Sequence, residues 1–466
     1  MERSIWKKWG RYIASGVLGT TILLGNVLPA RASDAPVTAP AISPWSVVTL
    51  HEGEKYGIFP LEWYYDGTFQ QPITAGKFLT LTEATAAKLD QLGLNKKENP
   101  AAPAAETALT REAVLKSLYG ILTQFELPSS FGIDAAAPVA YLQSKGIVQG
   151  TASGLELDKP CTVEQAAVLA SRLVQYAYET ADGGAKGLMW KVTKGGNTLY
   201  LLGSIHLGIP EMYPLHRSVT DAFEASDDLW VEANLLTDDQ EALAYFAKLT
   251  MYSDGTTLKD HLSADTYEKL QKVTAKLGMP AQSFDALKPW VVSNSLSLTT
   301  LMEKPADLAQ ATNAGVDLFL TQIALMSGKP VRELEGIKLQ GDILSGTPEE
   351  QQARELDTLL DSMLNPDAAA ADNAAQFKNW QLLWAKGDLA GFAKSYSASL
   401  QQEQNNGLTQ RLLGERDQNM AVKLTELLEA QGSSTHFIVV GAAHLAIKDM
   451  VIDKLKQKGY DVKFVE

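Results

Sequence analysis

The chain has 466 residues, 45% hydrophobic and 21% charged, with 35 glycines and 19 prolines; these values exclude a disordered tract, a collagen and a coiled coil and predict two or three globular domains. Acidic residues exceed basic ones by 55 to 41, a net charge of −14, which disfavours non-specific nucleic-acid binding. Cys161 is the single cysteine, so an intrachain disulfide and a zinc site of several thiolates are excluded, and any metal must sit on histidines and carboxylates.

The first segment places Arg3, Lys7, Lys8 and Arg11 before an apolar run from Ile13 to Leu28 and closes on Ala30-Arg31-Ala32. That order predicts a secretory signal over residues 1–32. An uncleaved anchor is the alternative, but the run is short for a span and ends in the small residues a peptidase needs. Cleavage would leave a more acidic chain, since the segment holds five basic residues and only Glu2. No later segment is long and apolar enough to span a membrane, so the mature chain is expected to be secreted or cell-wall associated.

Asn99-Pro100-Ala101-Ala102-Pro103-Ala104-Ala105 reads as a linker, and Asp182-Gly183-Gly184-Ala185 as a second break. Between residues 42 and 180 two pieces share a pattern. Tyr56-Gly57-Ile58 is followed by Asp66-Gly67-Thr68-Phe69, Pro72 and Thr74; Lys145-Gly146-Ile147-Val148 is followed by Gly154-Leu155-Glu156-Leu157, Pro160 and Thr162-Val163-Glu164-Gln165. Each predicts a helix stopped by glycine, a short loop, and a helix capped by threonine, with Thr162 and Gln165 forming a capping box. These pieces resemble S-layer homology repeats, and Leu109-Thr110-Arg111-Glu112-Ala113 looks like the start of another helix of that module. The resemblance implies a small helical domain that docks on a cell-wall polymer, although the family's Thr-Arg-Ala-Glu motif is absent from the two loops where it belongs. Cys161 reads as a small apolar residue without chemistry.

From residue 187 to 466 short apolar runs alternate with amphipathic helices, which predicts α/β architecture. Thr198-Leu199-Tyr200-Leu201-Leu202 empties into Gly203-Ser204-Ile205-His206, and His436-Phe437-Ile438-Val439-Val440 empties into Gly441-Ala442-Ala443-His444. In both places glycine ends a buried strand and puts histidine just past its carboxyl end, the rim where open α/β sheets bind ligands. One such Gly-x-x-His means little; two in matched contexts, in a chain with six histidines, point to a site. His51, His216, His261 and His436 lack this context and read as surface or structural.

Acids also follow apolar runs: Asp228 to Asn234 is a short strand leading to Glu232, and Lys329 to Gly336 is another leading to Glu335. Apolar residues at 215, 219, 222 and 223 predict a helix between the first of these and His206, which would place His206 and Glu232 on neighbouring parallel strands. A further helix, from Leu408 to Ala430, carries Arg416 on the same stripe as Leu413, Met420, Leu424 and Leu427. A guanidinium there must be paired with acids or reach a solvated cleft; otherwise it snorkels along apolar surface. The stretch from Thr237 to Ala311, with Phe284, Trp290 and Met302, is either a cap over the cleft or ordinary core.

Taken in order, Gly203-Ser204-Ile205-His206-Leu207-Gly208, Val231-Glu232, Lys288-Pro289-Trp290, Gly315-Val316-Asp317, Gly328-Lys329-Pro330-Val331 to Leu334-Glu335, Gln340, Arg416 with Met420-Ala421, and Gly441-Ala442-Ala443-His444-Leu445 resemble the TraB/GumN/Tiki family. The resemblance covers residues 187–466. It implies two similar α/β halves, each giving one Gly-x-x-His, in a Tiki- and erythromycin-esterase-like domain with a metal-dependent hydrolase site. Residue by residue it implies His206, Glu232 and His444 at the reaction centre and as metal ligands, with Arg416 and Glu335 in support. The chain departs from the family's Arg-Asn before Met-Ala, having Arg416-Asp417-Gln418-Asn419-Met420, and from His-Leu-x-Gly, having His444-Leu445-Ala446-Ile447.

The expected activity is therefore that of an exported metal-dependent hydrolase, metalloprotease-like and acting on peptides or protein termini at the cell surface. Mixed nitrogen and oxygen ligands suit manganese, cobalt or zinc, and the family resemblance favours manganese or cobalt. A metal-free version would use one histidine as general base, with Arg416 holding the oxyanion. Other readings are an esterase of the erythromycin-esterase type, a non-catalytic surface protein that sequesters peptides or pheromones, and two histidines that only brace strand ends.

Overall fold

The computed structural model describes residues 42–98, 109–151, 153–366, 368–401 and 413–466. The segment read as a secretory signal, the linker at 99–105 and the start of the helix expected from Leu408 lie outside these residues. The chain divides into two units, one of residues 33–185 with 209–220, the other of residues 186–208 with 221–466.

The first unit is helical. Its principal helices are α1 (Val47–Lys55), α2 (Ala75–Asp90), α3 (Arg111–Leu122), α4 (Pro138–Ser144) and α5 (Val163–Thr180). Three of them start on threonine, as their sequences predict: the hydroxyls of Thr74, Thr110 and Thr162 accept from the backbone N–H groups of Lys77, Ala113 and Gln165. Gln165 returns the bond, its side-chain oxygen accepting from Thr162 N–H at 3.2 Å, and this completes the capping box. Gly57 and Gly146 stop α1 and α4 at φ +71° and +73°, a region that disfavours any residue with a Cβ. The loops before the threonine caps pair with one another, through bridges between Pro72 and Thr162 and between Thr110 and Pro160. Cys161, between them, is fully buried, and burial pushes its thiol up to about 12, which suits an apolar filler.

Lys88 of α2 is buried, its ammonium donating to Pro210 O at 2.6 Å and to Gln91 Oε1 at 2.9 Å. Burial lowers its pKa to about 8, with Glu211 opposing in part. A lysine whose folded pKa lies below its unfolded value carries a charge-burial penalty below about pH 8, and this is relieved as the folded state sheds its proton between there and about pH 10. The stability of the wild type relative to Lys88→Met should therefore rise by on the order of 1 kcal/mol across that window in urea titrations. A difference that stays flat with pH would contradict this.

The second unit is built, in chain order, from β1 (Leu188–Lys194), β2 (Asn197–Ser204), α6 (Arg217–Glu224, shared with the first unit), β3 (Asp228–Val231), α7 (Gln240–Thr250), α8 (Ala264–Lys276), α9 (Pro289–Thr299), α10 (Val316–Ser327), β4 (Val331–Glu333), α11 (Ile337–Ser345), α12 (Glu349–Leu364), α13 (Ala368–Lys386), α14 (Leu389–Gln401), α15 (Glu415–Glu429), β5 (Thr435–Gly441), α16 (Ala442–Ala446), α17 (Val451–Gln457) and β6 (Val462–Phe464). The six strands form one mixed sheet of order β4-β3-β5-β2-β1-β6. β1 and β2 make an antiparallel hairpin about Gly195-Gly196, while β2, β5, β3 and β4 run parallel.

That order corrects one expectation. β2 and β3 are not neighbours, because β5 lies between them, pairing Ser204 with Gly441 on one side and Val231 with Val439 on the other. The β2-to-β3 connection skips one strand position, and the apolar strand β5 fills it. Phe223 of α6 packs edge-to-face on Phe437 of β5, ring centroids 5.5 Å apart. Among the described residues no helix is long and apolar enough to cross a membrane. Phe284 and Trp290 lie with Leu258, Leu270, Val291 and Leu356 in a core shared by α8, α9 and α12, so these two aromatics of the 237–311 stretch are core.

Candidate functional site

Four parallel strands end on one rim, and each delivers a residue singled out in the sequence. β2 leads through Ser204 and Ile205 to His206, β5 leads into α16 with His444, β3 ends just before Glu232, and β4 is followed by the turn that holds Glu335. Because β5 is central, its loop stands between the loops of β2 and β3. The two Gly-x-x-His segments leave adjacent strands one register step apart, Gly203 pairing with Val440 and Ser204 with Gly441. Gly203 is needed for more than a turn: a Cβ there would lie 2.8 Å from Ala442 Cα, so the first motif's glycine makes room for the second motif's helix.

Arg416, in the first turn of α15, is buried and paired with acids, as its place on an apolar stripe requires. Its Nε donates to Glu335 Oε1 at 2.8 Å, and its Nη2 donates to Glu335 Oε2 and Glu232 Oε2, both at 2.7 Å. Gln340 of α11 donates to the same two carboxylates, at 3.1 and 3.3 Å. The other oxygen of Glu232 accepts from Gly441 N–H at 2.5 Å and lies 4.0 Å from His444 Nε2. The Glu232 turn and the Glu335 turn are tied together, since the N–H groups of Glu335 and Gly336 both donate to Glu232 O.

Both histidines are buried, and each ring has one nitrogen engaged. His206 Nδ1 is 2.9 Å from Asp317 Oδ1, and His444 Nδ1 is 3.0 Å from Asp417 Oδ1. The two Nε2 atoms are buried, and neither has a hydrogen-bond partner among the described residues. Burial by itself would raise the pKa of Glu232, but Arg416 foremost, then His444, His206 and the Gly441 N–H, hold it below the ordinary carboxylate value. Burial would lower His206, but Asp317 and then Glu232 outweigh it and the net shift is upward, against the repulsion of Arg416. Arg416 is raised in the same manner, the two glutamates outweighing burial.

Two buried carboxyl side chains, Glu232 and Glu335, thus face the Arg416 guanidinium, while Asp317 and Asp417 each face one of the two imidazoles. At His206 the neighbouring carboxylates of Asp317 and Glu232 favour positive charge on the ring. Two buried, unpartnered nitrogens beside a carboxylate fit a divalent cation as donors. Glu232 fits less directly, because both its oxygens already accept hydrogen bonds, and among the described residues no three His, Cys, Asp or Glu side chains form a ready metal-binding group.

The remaining histidines stand elsewhere. His216 accepts from Ser218 N–H, His261 stacks on Tyr252, and His436 bonds Asp228 at the opposite end of β5. His51 lies in α1, 3.7 Å from Glu54. Asp317 and Asp417 received no role from the sequence, although both lie inside the motifs quoted above. An acid in the first turn of a helix is ordinary, so only the fold reveals what it touches.

The sequence profile of the TraB/PrgY/gumN family matches residues 188–463, more than half of the chain. The chain belongs to this family. Among curated relatives it is 29% identical to the uncharacterized protein YbaP of Escherichia coli over 188 residues, 40% of this chain and 65% of that protein. It is 23% identical to Metalloprotease TIKI2 of Danio rerio over 305 residues, 57% of this chain and 58% of the relative. With Metalloprotease TIKI1 of Xenopus tropicalis it shares 23% identity over 304 residues, 56% and 58% of the two chains. The chain thus spans somewhat under two thirds of the length of these relatives, and no solved structure matches it. The match begins at β1 and ends in β6, so the family domain coincides with the sheet that carries the site.

The Arg416 clamp makes a direct prediction. Arg416→Met strands two buried carboxylates and should destabilise the second unit by about 3–5 kcal/mol in denaturant titrations. Adding Glu232→Gln and Glu335→Gln should recover part of that loss. A loss under about 1 kcal/mol for the single variant would show that the clamp does not hold the site together.

Proposed function

We propose that this member of the TraB/PrgY/gumN family is an exported metal-dependent hydrolase, a peptidase acting on peptides or protein termini at the cell surface. The observation that carries this reading is the pair of buried imidazole nitrogens without partners, on loops from adjacent strands, beside a carboxylate held ionised by Arg416. The family match and the metalloprotease names of distant relatives support it. Export is proposed from the basic, apolar, then small-residue order of residues 1–32. Retention at the wall is proposed from the likeness of residues 42–180 to S-layer homology repeats, and the two Gly-x-x-His strands are read as the matching elements of two similar halves.

In this reading His206, His444 and Glu232 would hold a divalent cation, manganese or cobalt before zinc. Such a cation supplies Lewis acidity to a carbonyl group and to water when it is bound. The chain's own residues do the rest. Arg416 and Gln340 orient Glu232, the Gly441 N–H fixes its other oxygen, and Glu335 balances the guanidinium so that it stays in place. Burial of these groups excludes water and strengthens each of their interactions.

A second reading is favoured by the hydrogen bonds that already occupy both oxygens of Glu232. In it the site works without metal, one histidine taking a proton from water and Arg416 steadying negative charge on the substrate. Digestion of a peptide library by purified protein, with and without a chelator, separates the two. Loss of cleavage on chelation, restored by manganese or cobalt, is expected; cleavage that survives full chelation favours the metal-free site. His206→Ala and His444→Ala should each remove at least about 100-fold of activity under either reading. Peptides retained but never cut would mark a sequestering protein instead.

A further inference from the structure

The two histidines are held by a matching device that neither motif spells out. Asp317 lies in the first turn of α10, a helix whose N-cap is Gly315, and its carboxylate meets His206 Nδ1. Asp417 lies in the first turn of α15, a helix whose N-cap is Gly414, and its carboxylate meets His444 Nδ1. Asp417 is itself fixed, its second oxygen accepting from Gly414 N–H at 2.7 Å. Asp317 is fixed by close packing of its helix start against the His206 loop. Val316 N–H donates to Ile205 O, Gly208 N–H donates to Ala311 O, and a Cβ on Gly315 would stand 2.3 Å from His206 O. A Cβ on Gly208 would stand 1.7 Å from Ala314 O, so this approach admits no side chain at either glycine.

We infer that Asp317 and Asp417 are positioning residues that fix the ring orientation and tautomer of His206 and His444, keeping the proton on Nδ1 and presenting Nε2 to the shared site. A neutral imidazole has one donor and one acceptor nitrogen, and a carboxylate can only accept, so it selects the Nδ1–H form and leaves the Nε2 lone pair bare. Both Nε2 atoms are in fact buried, with no partner among the described residues. His436 shows that an aspartate–histidine contact alone does not produce this: its Nδ1 lies 2.6 Å from Asp228 Oδ1 at the amino end of β5, yet the ring is half-buried and away from the site. What sets the other two pairs apart is full burial and convergence on the rim beside Glu232. The use made of the Nε2 atoms rests on the proposed hydrolase reading; the tautomer assignment does not.

The test uses full-length protein labelled with 15N at histidine, stripped of metal and held at mildly alkaline pH, with ring signals assigned from His206→Gln and His444→Gln. The wild type should show both rings protonated at Nδ1. Asp317→Ala should mix the tautomers of His206 alone, and Asp417→Ala those of His444 alone. Asp317→Asn and Asp417→Asn, which still offer an acceptor, should keep the wild-type form in large part. Co2+ alone, added to the same samples, should bind about 10–100-fold more weakly to each alanine variant, while Asp228→Asn should leave its affinity unchanged. Wild-type rings protonated at Nε2, or alanine variants with unchanged ring signals, would overturn the inference. If the alanine variants do not fold, the wild-type tautomers and the asparagine variants decide. If the wild type binds no Co2+, the metal reading fails while the ring signals still judge the aspartates.

Discussion

A single buried guanidinium joins the parts of the chain that make the rim. Arg416 comes from α15, Glu232 follows β3 and Glu335 follows β4, and the three side chains meet through bonds of 2.7–2.8 Å with side-chain exposures of 1–4%. Two carboxylates this close and this buried cannot both stay ionised without a cation between them. Arg416 meets that requirement in a fork geometry that lysine could not match. The clamp also joins residues distant in sequence, so the rim exists only when α15, β3 and β4 are all in place.

The second constraint is the position of β5. By entering between β2 and β3 it lets one strand deliver His444 between the loops of His206 and Glu232, and it brings Gly441 N–H onto Glu232. Had β2 and β3 paired directly, His444 would have entered from an edge of the sheet. The glycines follow from the same crowding. Gly203 is opposite Ala442, Gly208 is opposite Ala314 and Gly315 is opposite His206, each at a distance that no Cβ tolerates. Glycine in these motifs therefore serves close approach of backbones as much as turning.

Much of the local structure was legible. The threonine caps at Thr74, Thr110 and Thr162, the glycine stops at Gly57 and Gly146, and the strands ending at His206, Glu232, Glu335 and His444 all follow from short-range rules of capping, left-handed backbone and apolar runs. The pairing of Arg416 with acids was legible too, because an arginine on an apolar stripe has few alternatives. The hairpin of β1 and β2 was missed although Lys194-Gly195-Gly196-Asn197 carries its signal, two glycines between apolar runs. Asp317 and Asp417 were not legible, since nothing local separates an acid that caps a helix from one that also grips a distant ring.

By itself the sequence determined which residue types end the strands, where helices begin, and that two Gly-x-x-His units recur in matched settings, because these depend on neighbours a few positions apart. Only the tertiary structure decided that β5 lies between β2 and β3, that both oxygens of Glu232 already accept hydrogen bonds, and that each histidine is gripped on one nitrogen and bare on the other. Those facts depend on pairings between segments far apart in the chain. Such pairings are chosen by the burial of whole surfaces and the satisfaction of buried polar groups together, and no single segment carries either.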